Sequence, residues 1–219
     1  MVVRENFKSQ LDDLKNRLLE LGHLSESAAK QAMEALVAQD VEASLRIIEN
    51  DRKINEREEV INDQAILMIA KQQPVASDLR RIIVAIKIST DVERVGDFAV
   101  NIAKSAIRIG EKPLIKPLVD IPKMAEMALE MLADGLKAYY EEDVELARAL
   151  AERDDQVDQM YGRLIQELLQ LASEKPEQVP QITQLSFICR FIERIADHAT
   201  NIAESVIYLV KGRHYELND

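Results

Sequence analysis

The stretch "DVERVGDFAVNIAKS", residues 91–105, returns one hundred residues later as "FIERIADHATNIAES", residues 191–205. With Glu93 set against Glu193, seven of eleven positions are identical: Glu, Arg, Asp, Ala, Asn, Ile and Ala. Composition bias does not produce that agreement. Upstream, "DVEASLRIIENDRKIN" from Asp40 aligns with "DVELARALAERDDQVD" from Asp143, and the offset changes only from 103 to 100. The chain is therefore an internal repeat with both halves in the same order. "GEKPLIKPLVDIP", Gly110 to Pro122, holds three of the six prolines and reads as the linker between them. The expected domains are residues 1–110 and 111–219.

Around the repeat, the composition is that of long helices. Six Gly, six Pro and no Trp stand among many Ala, Leu, Glu, Lys, Gln and Arg, the residues with the smallest helix penalty. In the first half, Phe7, Leu11, Leu14, Leu18, Leu21, Ala28, Ala32 and Ala35 alternate spacings of four and three, the seam of an amphipathic helix. Asp40 and Asp143 stand where N-caps of second helices belong, with stripes Ile47, Ile54, Ile61 and Leu150, Val157, Leu164 behind them. Pro74 and Pro176 mark the next breaks, and third helices run from about Ser77 to Ile109 and from about Pro180 to Lys211. A helix of about 30 residues is about 45 Å long. The predicted fold is all-α: two tandem, similar three-helix bundles made of six long helices, slender rather than globular.

The acids of the repeated phrase fall inside the apolar stripe. At about 100° per residue, Leu79, Ile82, Ile86, Val100 and Ile107 lie within about 40° of Glu93, and so does Asp97. In the second copy, Ile182, Cys189, Thr200 and Ile207 share the face of Glu193 and Asp197. Asp51 fills the gap between Ile47 and Ile54, and Asp154 that between Leu150 and Val157; one turn on come Asn55 and Asp158. Several carboxylates in one apolar seam cannot all ionise without a compensating cation. One source of positive charge is Arg94, Arg194 or Arg52, in buried ion pairs. The other is a metal held by oxygen donors, including Asn101 or Asn201, and suited to Mg²⁺, Mn²⁺, Ca²⁺ or carboxylate-bound iron. His198, replaced by Phe98 in the first half, lies off this face and reads as peripheral. Gly96 and Ala196, between the acids, read as packing positions. Val84, Ile88, Val95, Ala99, Ile102, Ala106 and Ile109 form a second apolar face, read as the contact between bundles or as a dimer or partner surface.

Charge and targeting signals narrow the function. A net charge of −11 opposes a nucleic-acid footprint, which needs a basic stripe. One cysteine, Cys189, excludes an internal disulfide and suits the cytosol. The longest wholly apolar run, Ile82–Ile86, is far short of a membrane span, and the N-terminus lacks a signal-peptide pattern. The expectation is a cytoplasmic protein with no nucleic-acid partner and no direct membrane insertion.

At "ERVGDFAVNIA" and "ERIADHATNIA" the chain resembles the PhoU family of phosphate-uptake regulators, with the Glu-x-x-x-Asp pattern at Glu93–Asp97 and again at Glu193–Asp197. The resemblance spans both halves. It implies a negative regulator of phosphate uptake and of the phosphate-starvation response. Its implied partners are the ATP-binding subunit of the phosphate ABC transporter and a membrane sensor histidine kinase, and it implies a homodimer. Some members hold iron or zinc clusters on the acidic motifs, and others magnesium or manganese. Carried over by position, the metal ligands are Glu93, Asp97, Glu193 and Asp197, followed by Asp51, Asp154 and Asp158, with Asn55 departing from a carboxylate. Two alternatives stay open. A ferritin-like, carboxylate-bridged oxidoreductase would use Glu-x-x-His, but Gly96 and Ala196 stand where the histidines belong. A metal-free helical scaffold needs only the arginine pairs. With no phosphate cradle and no nucleophile beside a base, the expectation is a protein without catalysis.

Overall fold

The computed structural model describes residues 2–217. Among these the regular structure is helical throughout, with no strand. The first half comprises α1 (Val2–Ala38), α2 (Val41–Asn50), α3 (Arg52–Gln72) and α4 (Ser77–Ile109). The second comprises α5 (Asp120–Glu141), α6 (Val144–Glu174) and α7 (Val179–Lys211), with a 3₁₀ turn at Pro176–Gln178 before α7. These are the six rods of the repeat, the second of them interrupted once, at Asp51.

The boundaries follow local chemistry. Asp40 accepts a hydrogen bond from the Ala43 amide at 2.8 Å, and Asp143 accepts from Glu145 and Leu146 at 2.9 and 3.0 Å. Each aspartate thus satisfies donors that the first helical turn leaves free. Preceding residues Gln39 and Glu142 adopt positive φ of 52° and 56°, which turns the chain sharply between first and second helices. Past Pro74, α4 begins at Ser77, and α7 begins with Pro180 in its first turn.

The linker is fastened to both halves. Gln39 donates to the carbonyls of Gly110 and Lys112, each at 2.7 Å. Gln181 accepts from the Ile115 amide at 2.7 Å and donates to the Pro113 carbonyl at 3.2 Å. α5 starts inside the proline-rich stretch, because Pro122 falls in its first turn, where a missing N–H costs nothing.

Helices α1, α3 and α4 pack on one another, as do α5, α6 and α7. The two bundles are not strung end to end: α4 lies along α7, and α1 crosses α5. The second apolar face of α4 causes this, for Val84, Ile88, Val95, Ala99, Ile102, Ala106 and Ile109 are all buried. One hydrophobic core therefore runs through both halves: that face is the contact between bundles, and the two tandem bundles lie side by side rather than forming a slender rod. Burying one such Ile or Leu stabilises by about 1.5–3 kcal/mol. At the α4/α7 contact, Phe98 stacks on Phe191 with centroids 6.1 Å apart, and His198 Nδ1 lies 2.8 Å from Asp91 Oδ1. Helices α2, α3 and α6 stay on the outside, touching no element of the other half among the described residues.

Candidate functional site

Each half carries one acidic seam between its second and third rods. In the first, Asp51 stands at the break between α2 and α3, where its carbonyl accepts from both the Ile54 and Asn55 amides, at 2.9 and 3.2 Å. The tightened turn places Asp51 and Asn55 side by side, with Asn55 Nδ2 3.4 Å from Asp51 Oδ2. Opposite them on α4 are Glu93 and Asp97, with side chains 21% and 35% exposed. In the second half α6 runs unbroken, so Asp154 is buried in the helix wall while Asp158 reaches the exposed rim. On α7, Glu193 is buried and Asp197 half-buried.

Burial and mutual repulsion push protons onto these acids. Asp51 is raised by burial first and by Asp97 second, with Asn55 and Lys104 pulling the other way. Glu93 is raised by burial, then by Asp97, with smaller pushes from Glu58 and Asp51 and a pull from Arg94. Asp158 is raised by burial, Asp197 and Asp155. Glu193 moves furthest, up to about 7, through burial first and then Asp197, despite the pull of Arg190 and Arg194. These are the signs of carboxylates gathered in a poorly hydrated seam.

Arginines take part of that charge. Arg94 Nη1 reaches Asp97 Oδ2 at 2.8 Å with its Nε 3.9 Å from Glu93, and Arg194 repeats this on Asp197 and Glu193 at 2.7 and 3.8 Å. Both arginines reach their aspartates by an i,i+3 wrap along the helix surface. Arg52 is not involved, since it pairs with Glu56 at 2.5 Å. Arg190, unmarked in the sequence reading, bonds Glu193 one turn ahead of it and lies over the Tyr161 ring. Its only sequence signal is that i,i+3 spacing, and Thr90 occupies the matching place in the first half.

The donor chemistry fits a hard cation. Asp51 Oδ1, Asn55 Oδ1 and Glu193 Oε2 are buried oxygens without a hydrogen-bond partner among the described residues. The side-chain positions are not those of a closed coordination shell: no group of three or more His, Cys, Asp or Glu among the described residues stands ready to hold a metal ion. Arg94 and Arg194 hold oxygens of Asp97 and Asp197 that an ion would take. His198 and Asn201 turn away from the seam, toward Asp91. Cys189 is buried on α7, and burial pushes its thiol up to about 12, so it supplies no thiolate. Nor is any described helix long and apolar enough to cross a membrane.

A duplicated three-helix bundle with an acidic seam in each copy, each edged by an arginine, defines a class of paired helical modules. The family model of the PhoU domain matches this chain twice, over residues 18–106 and 121–206. A phosphate-specific transport system accessory protein PhoU homolog from Clostridium acetobutylicum is 40% identical over 219 residues, 100% of both chains. One from Aquifex aeolicus is 41% identical over 203 residues, 93% of this chain and 92% of its own. The crystal structure of PhoU from Pseudomonas aeruginosa superposes with a TM-score of 0.91 at 35% identity, covering 94% of this chain and 100% of that one. That of the phosphate transport system regulatory protein PhoU from Streptococcus pneumoniae gives 0.90 at 33% identity, covering 96% and 99%. The chain belongs to the PhoU family.

Proposed function

We propose that this protein is a cytoplasmic negative regulator of phosphate uptake and of the phosphate-starvation response. It acts as a homodimer, without catalytic turnover, by contact with the ATP-binding subunit of the phosphate ABC transporter and with the sensor histidine kinase. The observation that carries the reading is the match, over all 219 residues, to a phosphate-specific transport system accessory protein. Long, partly exposed helices and an acidic surface suit a protein that occupies partners. The direct test is a phosphate-responsive reporter in phosphate-rich medium. Deleting the chain is expected to switch the reporter on and restoring it to switch it off; a reporter silent in the deletion refutes the regulatory role.

The acidic seams take part as cation sites. Glu93, Asp97 and Asp51 would hold an ion in the first half, and Glu193, Asp197, Asp154 and Asp158 in the second. Mn²⁺, Mg²⁺, iron or zinc would supply the charge that Arg94, Arg190 and Arg194 meet only in part. Binding to the folded state alone stabilises by about 2.7 kcal/mol at a hundredfold excess over Kd. Melting temperature is therefore expected to rise with Mn²⁺ or Fe²⁺ and to fall with chelator. In Asp97→Ala with Asp197→Ala that response should shrink. A double variant that answers metal like the parent would favour the second reading, a metal-free scaffold, which the Arg94–Asp97 and Arg194–Asp197 pairs support.

A further inference from the structure

α1 and α5 touch where Gly22 faces Leu136, a contact so close that a Cβ on Gly22 would run into the leucine side chain. Beyond that crossing the helices part, leaving a cavity at each end. At one end, a cavity of about 740 Å³ is edged by Lys8, Lys15 and Arg81 against Asp12, Asp78 and Glu142. Three of its charges satisfy one another, since Arg81 lies 3.4 Å from both Asp78 and Glu142, and Lys15 sits over the Tyr140 ring at 4.7 Å.

The other end differs. A groove of about 630 Å³ runs between the C-terminal part of α1 and the N-terminal part of α5, with Met33, Val37 and Leu129 on its floor. Val37 is 50% exposed there. Glu26, Glu34, Glu126 and Glu130 stand along its rim against one cation, Lys30. Glu130 is matched by Arg153 at 3.0 Å, and Glu26 has, among the described residues, only His23 at 3.8 Å. The carboxylates of Glu34 and Glu126 form no ion pair or hydrogen bond among the described residues.

We infer that this α1/α5 groove docks an amphipathic helix of a partner protein, one whose apolar stripe is flanked by Lys and Arg. Length supports this: residues 26–38 of α1 span about 18 Å, the run of three to four helical turns. An apolar floor takes anchors at i, i+3 or i+4, and i+7, while the glutamate rim selects cationic flanks and sets the register. A second copy of this chain is a poor occupant, because it would bring its own net charge of −11 to an acidic rim. An anionic membrane surface is repelled for the same reason.

The test uses the full-length protein and a fluorescent model peptide of about 16 residues, helical, with leucines at the anchor spacing and Lys/Arg flanks. Fluorescence anisotropy is expected to show binding that weakens with added salt. In Glu34→Lys with Glu126→Lys, and separately in Val37→Asp, Kd should rise about tenfold, equivalent to about 1.4 kcal/mol. All three side chains are exposed, so melting temperature should stay within a degree or two of the parent's. A peptide with Glu flanks should not bind. Equal binding to parent and variants, or equal binding of the Glu-flanked peptide, overturns the assignment. So does sedimentation showing a dimer that Val37→Asp dissolves, which would make a second copy the occupant. Competition by anionic vesicles would likewise transfer the groove to a lipid surface.

Discussion

The two acidic seams share a motif but differ in how they hold it. In the first, the rod breaks at Asp51, Asn55 stands one turn on, and Glu93 keeps a side chain 21% exposed. In the second, the rod is continuous, Asp158 replaces the asparagine, and the Glu193 side chain is 11% exposed beneath Arg190. Deeper burial, with Asp197 and Asp158 alongside, lifts Glu193 to about 7, whereas an added arginine recovers only part of the cost. The same phrase therefore yields one seam whose motif glutamate stays partly open and one whose motif glutamate is buried and raised to about 7.

The widest separation between the seams should appear in the pH dependence of stability of the chelated protein. Folded Glu193 keeps its proton to about pH 7, against an ordinary glutamate value of 4.5. Between these values the folded state binds more protons than the unfolded one. This contribution is thus full below pH 4.5 and is lost as the pH rises through 7, by about 3 kcal/mol. Glu193→Gln should flatten that fall in urea midpoints taken at pH 5 and pH 8. Glu93→Gln should act in the same sense but less, since Glu93 is more open. Equal flattening by both variants would erase the distinction drawn between the seams.

Exchanging the residue one turn beyond the aspartate sharpens the contrast by a smaller amount. Asn55→Asp adds a carboxylate to a seam that already raises Asp51 and Glu93. It should cost the metal-free protein about 1 kcal/mol and enlarge the melting response to Mn²⁺. Asp158→Asn should do the reverse in the second half. Calorimetry with and without Mn²⁺ checks both, and a fall in the metal response of Asn55→Asp would count against a cation site there.

The smallest effect concerns the residue between the motif acids. A Cβ at Gly96 would meet Ile54 Cδ1 at 2.9 Å and Cγ2 at 3.1 Å, whereas Ala196 is accommodated and fully buried. Ala196→Gly should destabilise by about 1 kcal/mol from helix propensity alone. In Gly96→Ala the same gain is offset by the shift forced on Ile54, leaving a net change within about 0.5 kcal/mol. A gain of the full propensity difference in denaturant titration would show that Ile54 yields freely.

Much of this architecture was legible before any coordinates. The Asp40 and Asp143 caps and the α4 limits at Ser77 and Ile109 come from short-range rules, and the structure keeps all of them. The repeat register likewise placed Glu93 against Glu193. What stayed hidden depends on side-chain choice and on helix crossing. That Arg94 folds along α4 to Asp97 is a rotamer decision, and periodicity places an arginine only by its Cα direction. The break at Asp51 has no proline or glycine to announce it. The α1/α5 groove arises where two helices far apart in sequence diverge beyond Gly22, and neither helix records that divergence on its own.

The α4/α7 contact also decides which half can recognise which. Asp91 and Phe191 hold matching places in the repeat, as do Phe98 and His198. Across the contact the unlike halves therefore give one aromatic pair, Phe98 with Phe191, and one polar pair, Asp91 with His198. Two first halves facing each other the same way would set Asp91 against Phe98 at both places. Two second halves would set Phe191 against His198 twice, leaving each imidazole without its carboxylate. The divergence of two residues per copy thus works as a lock and key between duplicated parts, favouring the pairing of unlike halves over the pairing of like ones.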